Sequence, residues 1–212
     1  FCLWQLCLIG SLPGCGGHIH QSLTDTSGNP VFFDHTDPLN MSPLLKHFLA
    51  GQLHCLPELL PLLAPNINSY KRLVEGFWAP THSTWGIDNR TCALRVLNDS
   101  PKSTRVEHRV AGADMNPYLA IAATLGAGLY GIRHKLPLDH DRVQGNAYDL
   151  KDKKELPCDL LEATKKFQHS CVAKEIFSKD FVDHYAYSRV WEHNQSKKHV
   201  TDWEKSRYFE TV

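Results

Sequence analysis

The chain has 212 residues, enough for one large domain or part of one, with a substantial buried core. Lys+Arg and Asp+Glu both number 23, so no bulk charge directs it to nucleic acid or to a membrane surface. Its 7 cysteines are scattered without a CxxC pair, which argues against a disulfide framework and for reduced, mostly buried thiols in the cytoplasm.

The chain begins at Phe1 rather than Met and reads as an incomplete fragment. Residues 1–12 form an apolar run with no basic flank, too short to span a bilayer, and are expected to be a buried segment or an artefact of how the fragment begins. The stretch GCGGHIHQS follows at 14–22. In strand periodicity His18, His20 and Ser22 share one face, and the glycines before them let a ligand approach the backbone. Two neighbouring imidazoles suit a metal or a phosphate, and ordinary strand histidines are the other reading. Residues 24–30 predict a turn between strands, with 31–33 as the return.

Residues 42–63 carry apolar side chains at helical spacing, with Pro57 expected to open a second helical piece. Residues 65–73 read as an irregular polar loop, continued at 75–80 (EGFWAP) by a segment able to close over a site. Short strands are predicted at 83–87 and 92–96, the second placing Arg95 opposite Leu94 and Val96. The stretch TRVEHRVAGADMNPYL at 104–119 organises the rest. As a strand it sets Arg105, Glu107 and Arg109 on one face and Val106, His108 and Val110 on the other. Guanidiniums flanking a carboxylate bind anions bidentately, and the carboxylate is a hard ligand for Mg²⁺ or Mn²⁺. An exposed ion-pair ladder is the alternative. Asn116 caps a helix with Pro117 in its first turn, and an Ala- and Gly-rich helix runs through 119–136. Residues 137–157 read as a polar surface loop. Amphipathic helices follow at 160–167, 172–177 and 181–191, and a last one begins with a Thr201/Glu204 capping box.

These segments resemble the glutamine synthetase family in ordered motifs. Residues 14–22 resemble its GxGxHxHxS segment, 66–72 (NINSYKR) its NxNSYKR loop, and 89–95 (NRTCALR) its NRSxxxR strand. RVEHR at 105–109 and NPYL at 116–119 resemble its RxExR and NPYL elements. The resemblance divides the chain into an unmatched apolar segment, 1–13, and the C-terminal part of a glutamine-synthetase-type catalytic domain, 14–212. It implies an α+β fold with a curved antiparallel sheet and packed helices. It also implies a homo-oligomer in which an ATP-dependent ligase joins the glutamate γ-carboxylate to ammonia or an amine through γ-glutamyl phosphate.

By position, the resemblance makes His18 and Glu107 ligands of one divalent ion, Mg²⁺ or Mn²⁺. It places His20, Ser22, Arg90, Arg95, Lys102 and Arg105 at ATP. Gly14, Arg72 and Arg109 fall to glutamate, with Arg90 and Arg109 also at the transferring phosphate. In ammonia-using members an acid stands in the flap where this chain has Trp78, which resembles the branch of ligases acting on amines. An indole takes no proton from ammonium but walls a slot for substrate or stacks on a cation. The 212-residue chain alone is expected to have negligible turnover, with further metal-binding carboxylates upstream. A non-catalytic structural or assembly relative is the alternative. Replacing Glu107 by alanine is expected to remove a divalent site and leave the fold largely intact.

Overall fold

The computed structural model describes residues 12–150 and 155–211. The apolar run 1–12 therefore lies outside the described residues except for Leu12, which is exposed. Four short strands and six α-helices make an α+β fold: β1 (Ile19–Gln21), α1 (Pro43–Leu59), β2 (Trp85–Ile87), β3 (Leu94–Leu97), β4 (Arg105–His108), α2 (Pro117–Arg133), α3 (Leu160–His169), α4 (Cys171–Phe177), α5 (Lys179–Ser196) and α6 (Asp202–Tyr208).

The sheet order is β1-β4-β3-β2. β4 is antiparallel to both β1 and β3, but β2 runs parallel to β3, so the sheet is mixed rather than wholly antiparallel. The reason is local. Asp88 N–H donates to Val96 O at 2.9 Å and Leu94 N–H to Thr84 O at 3.0 Å, so the two strands meet side by side in one direction.

One face of the sheet is apolar. Trp85, Leu94, Val96 and Val106 pack with Phe32, Leu45, Phe48, Leu49 and Leu53 in a single buried cluster. Burying each such side chain contributes about 1.5–3 kcal/mol. Helix α1 starts where Ser42 Oγ accepts from Leu45 N–H at 3.2 Å while donating to Val31 O at 2.7 Å. Pro57 lies inside α1 and does not open a second piece; the helical continuation is a 3-10 turn at Leu60–Leu62. The polar loop around residue 66 is also more regular than its composition implies. It forms a 3-10 helix, Ile67–Lys71, closed by a reciprocal Asn66/Ser69 capping box. The expected caps at Asn116 and Thr201 are present. Of the five described free cysteines, Cys55 and Cys92 are buried but Cys15, Cys158 and Cys171 are exposed, so the thiols are not mostly interior.

Helices α1 and α2 touch backbone to backbone. A Cβ at Gly131 would lie 2.1 Å from His47 O and 2.6 Å from Gly51 Cα, and one at Gly51 would lie 2.2 Å from Ala127 O. Backbone atoms cannot move aside as a side-chain tip can. Gly131→Ala is therefore expected to cost about 3 kcal/mol, at the upper end for overpacking. Thermal unfolding by circular dichroism checks this, and an unchanged midpoint would mean that the helices slide apart freely.

Candidate functional site

The polar face of the sheet carries the cluster. Register sets His20 opposite Glu107 and Glu107 opposite Arg95, so three charged or ionisable groups stand in a row across β1, β4 and β3. Cross-strand neighbours of this kind stand about 5 Å apart, within reach of long side chains. On β2 the row ends at Gly86, which has no side chain to fill it.

Glu107 is the hub and is only 3 % exposed. Its Oε2 accepts from Arg95 Nη1 at 2.8 Å, and its Oε1 accepts from Arg109 Nη1 at 2.8 Å. His18 Nδ1 lies 3.0 Å from the same Oε1, and His20 Nε2 lies 3.9 Å from it. Burial pushes the Glu107 carboxyl up, but the Arg95 hydrogen bond and the Arg109 charge outweigh it and hold it below the ordinary range. Burial and then Arg109 lower the His18 imidazole, with Glu107 opposing them. Arg105 Nε donates to His20 Nδ1 at 3.1 Å, tying the second histidine to β4.

Arg72 enters from the 3-10 helix, 2 % exposed. Its Nη2 donates to the carbonyls of Arg109, Val110 and Ala111, the last at 2.8 Å. Its Nη1 lies 3.7 Å from where a Cβ at Gly16 would stand, beside the His18 ring. One end of this guanidinium thus fastens the chain after β4, and the other faces the glycine segment that Gly14 belongs to. Trp78, Arg90, Arg95, Glu107 and Arg109 line a cavity of about 410 Å³. Arg90 and Trp78 are both exposed. Trp78 has φ of +58°, a left-handed conformation that a bulky side chain rarely adopts.

The structure therefore gathers His18, His20, Arg72, Trp78, Arg90, Arg95, Arg105, Glu107 and Arg109. It leaves Ser22, beyond the end of β1, and Lys102, on the turn between β3 and β4, exposed and without a hydrogen bond or ion pair to the cluster among the described residues.

Sequence reading missed three supports. Asp114 accepts from Ser69 Oγ at 2.7 Å and Asn66 Nδ2 at 3.1 Å, pinning the loop that delivers Arg72. Asp88 holds Arg95 from the turn, with Nε at 2.9 Å. Gln52, buried in α1, donates to Gln21 Oε1 at 2.6 Å and to Thr124 O at 2.9 Å, hanging β1 from both long helices. An amide at an otherwise apolar helical position was the available signal for Gln52.

His108, which strand periodicity sets with Val106 and Val110, is 2 % exposed on the apolar side of β4. Burial first, then the charges of His18 and Arg72, push its imidazole down to about 3 from 6.5. The folded value is depressed, so the unfolded chain binds the proton more readily. The stabilising contribution is whole above pH 6.5 and falls as pH drops toward 3. The slope is at most about 1.4 kcal/mol per pH unit. The urea midpoint is expected to decline from pH 6.5 to about 5, where carboxylates stay ionised. His108→Leu should flatten that decline, and an equal slope in the variant would contradict this origin.

Among the described residues no group of three or more His, Cys, Asp or Glu side chains is assembled for a metal. No helix among them is long and apolar enough to cross a membrane. The family described as "Glutamine synthetase, catalytic domain" matches residues 8–208. Type-1 glutamine synthetase 2 of Dictyostelium discoideum is 50% identical over 205 residues, covering 95% of this chain and 39% of the relative. Glutamate–isopropylamine ligase of a Pseudomonas species is 43% identical over 201 residues, covering 94% and 44%. A solved structure described as "Apo GmaS without ligand" superposes with a TM-score of 0.85 at 27% identity, covering 98% of this chain and 48% of that one. The chain spans roughly two-fifths to half the length of these relatives. With the sheet, the Glu107 hub and these similarities together, the chain belongs to the glutamine synthetase family.

Proposed function

We propose that the full-length protein is an ATP-dependent ligase that joins the γ-carboxylate of glutamate to ammonia or an amine. The observation that carries this reading is the buried Glu107 carboxylate held between Arg95 and Arg109, with His18 at 3.0 Å, at the edge of a cavity. A γ-carboxylate oxygen attacks the terminal phosphorus of ATP and ADP leaves. The amine nitrogen then attacks the acyl carbon, the C–N bond forms, the C–O bond to phosphate breaks, and a proton leaves the nitrogen. The first step brings two anions together and the second expels an anionic phosphate, and fixed positive groups lower both barriers.

Arg90 and Arg109 hold the transferring phosphate in this reading. Arg72 has Nη1, beside Gly16 in the segment that includes Gly14, and the unpartnered Nε left for the glutamate carboxylate, because Nη2 is bound to carbonyls. His20 and Arg105 act as one hydrogen-bonded unit toward ATP, joined by Ser22 and Lys102, while Arg95 contributes charge from its place beside Glu107. Trp78 walls the amine side.

His18 and Glu107 bring an imidazole nitrogen and a hard carboxylate oxygen within 3.0 Å of each other, and together would hold Mg²⁺ or Mn²⁺. When bound, such an ion would neutralise phosphate charge. Family resemblance adds a cytoplasmic homo-oligomer.

Glutamate-dependent ADP release by the full-length protein tests the reading. It is expected to rise when an amine or ammonia is added. Release that no amine stimulates would overturn it in favour of a non-catalytic relative.

A further inference from the structure

A second cavity of about 450 Å³ adjoins the first. Trp78 and Arg90 line both, so the indole stands as the partition between them. Arg142 and Gln144, from the loop after α2, line the second cavity together with Asp88 and Asn89. The polar groups in it are unequal in what they offer a guest. Asp88, the one acid among the described lining residues, already accepts from Arg95 Nε at 2.9 Å. The Asn89 amide is engaged on both sides, donating to Gly145 O of the loop after α2 at 2.8 Å and accepting from Thr91 Oγ1 of its own turn at 2.6 Å. Neither Arg90 nor Arg142 forms a salt bridge among the described residues, although Arg90 lies close enough to Asp88 to help lower its carboxyl. The cavity thus presents two guanidiniums, one amide and an aromatic face. None of His20, Ser22, Lys102 and Arg105, the other groups assigned to the nucleotide, lines it.

We infer that this cavity receives the tail of the amine substrate, and that the tail is anionic: the acceptor is a primary amine bearing a carboxylate or a comparable acid, such as an amino acid. The inference rests on the ligase reading above. Its chemistry is that of planar guanidinium forks, which pair bidentately with carboxylates and repel cations. An acceptor nitrogen passing Trp78 reaches the acyl carbon held near Arg109, while its acid remains with Arg142, leaving Arg90 to the phosphate. The bond changes are those of the second step already described, with inorganic phosphate leaving and the proton lost from nitrogen, so the product is a γ-glutamyl peptide-like amide. A diamine or polyamine would carry its second ammonium into a cavity lined by two guanidiniums and one carboxylate, Asp88, whose Oδ1 is already held by Arg95. That sets this chain apart from the polyamine acceptors that Trp78 alone brings to mind.

The test uses the full-length protein with ATP and glutamate. Hydroxylamine, small and uncharged at neutral pH, comes first as nucleophile, because γ-glutamyl hydroxamate reports the ligase chemistry whatever fills the second cavity. A panel of glycine, β-alanine, ethanolamine and 1,4-diaminobutane is then compared by kcat/KM. The acidic amines are expected to exceed ethanolamine by about tenfold, with the diamine last, an advantage of the size expected for one bidentate pair. Arg142→Ala should erase most of that advantage through KM, and Arg142→Glu should move the diamine ahead of the acidic amines. Hydroxamate formation with ethanolamine or the diamine preferred would overturn the inference and leave the ligase standing. An Arg142→Ala effect on KM for ATP instead of the amine would also overturn it, making the cavity a nucleotide site. Failure to form hydroxamate at all would overturn the ligase reading, and this inference with it.

Discussion

Glu107→Gln is expected to lower Mn²⁺ affinity by more than about 100-fold, beyond what loss of an outer-shell partner causes. In the full-length protein it should also cut turnover by about 10²–10³, the scale of one preorganised charge lost from a transition state. The amide keeps the shape of the carboxylate but offers one acceptor oxygen where Arg95, Arg109 and His18 now share two. Glutamine is the useful substitution because alanine does more than remove a ligand. Arg95 and Arg109 are almost wholly buried at this carboxylate, with side-chain exposures of 13% and 7%. Taking away the acid leaves two facing guanidiniums, and breaking a buried pair costs about 3–5 kcal/mol. The expectation from sequence that Glu107→Ala leaves the fold largely intact is therefore replaced: alanine should shift the urea midpoint strongly, and glutamine less. Electron paramagnetic titration of Mn²⁺ alongside urea unfolding separates the two effects. Unchanged Mn²⁺ binding in a folded Glu107→Gln protein would remove this residue from the metal assignment.

The second large effect lies in Arg72. Arg72→Ala is expected to destabilise the chain by about 3–5 kcal/mol, because buried acceptors left without a donor carry their full desolvation cost. Three successive carbonyls, those of residues 109–111, lose the same Nη2, and of these Ala111 O keeps a donor in Gly17 N–H at 2.9 Å. Arg72→Lys should recover only part of this, since an ammonium cannot copy the fork. Urea unfolding measures it, and a shift under about 1 kcal/mol would show that the carbonyls find water instead. Loss of glutamate affinity in the lysine variant, with the fold retained, would trace the remaining Nη1 to substrate.

Much of this site was legible beforehand because strand periodicity is a strict rule. Once Arg105, Glu107 and Arg109 share a face, their meeting with Arg95 follows from pairing β4 to β3. Caps were legible for the same reason: Asn116 before Pro117, and Thr201 three residues before Glu204, satisfy local backbone donors with no help from elsewhere. What escaped was long-range. No local pattern says that Asp114 reaches back 45 residues to Ser69, or that Gln52 reaches Gln21 and Thr124. The parallel pairing of β2 depends on where the chain crosses, which side-chain alternation does not encode. Pro57 misled because an N-terminal proline and one near the end of an established helix look alike in sequence, while its neighbours in the core decide which it is. Arg142 lay in a stretch read as surface loop, where a lone arginine carries no signal until the fold sets it beside Trp78.

The left-handed backbone at Trp78 has one more consequence. A residue 61 % open to solvent gives little interior packing in return for a conformation costing of the order of 1–3 kcal/mol. Thermodynamic selection for a sturdier chain would favour glycine or asparagine there. In the proposed ligase the indole would act on the acceptor and not on the interior, so acceptor preference would diverge at this position without any toll on the core.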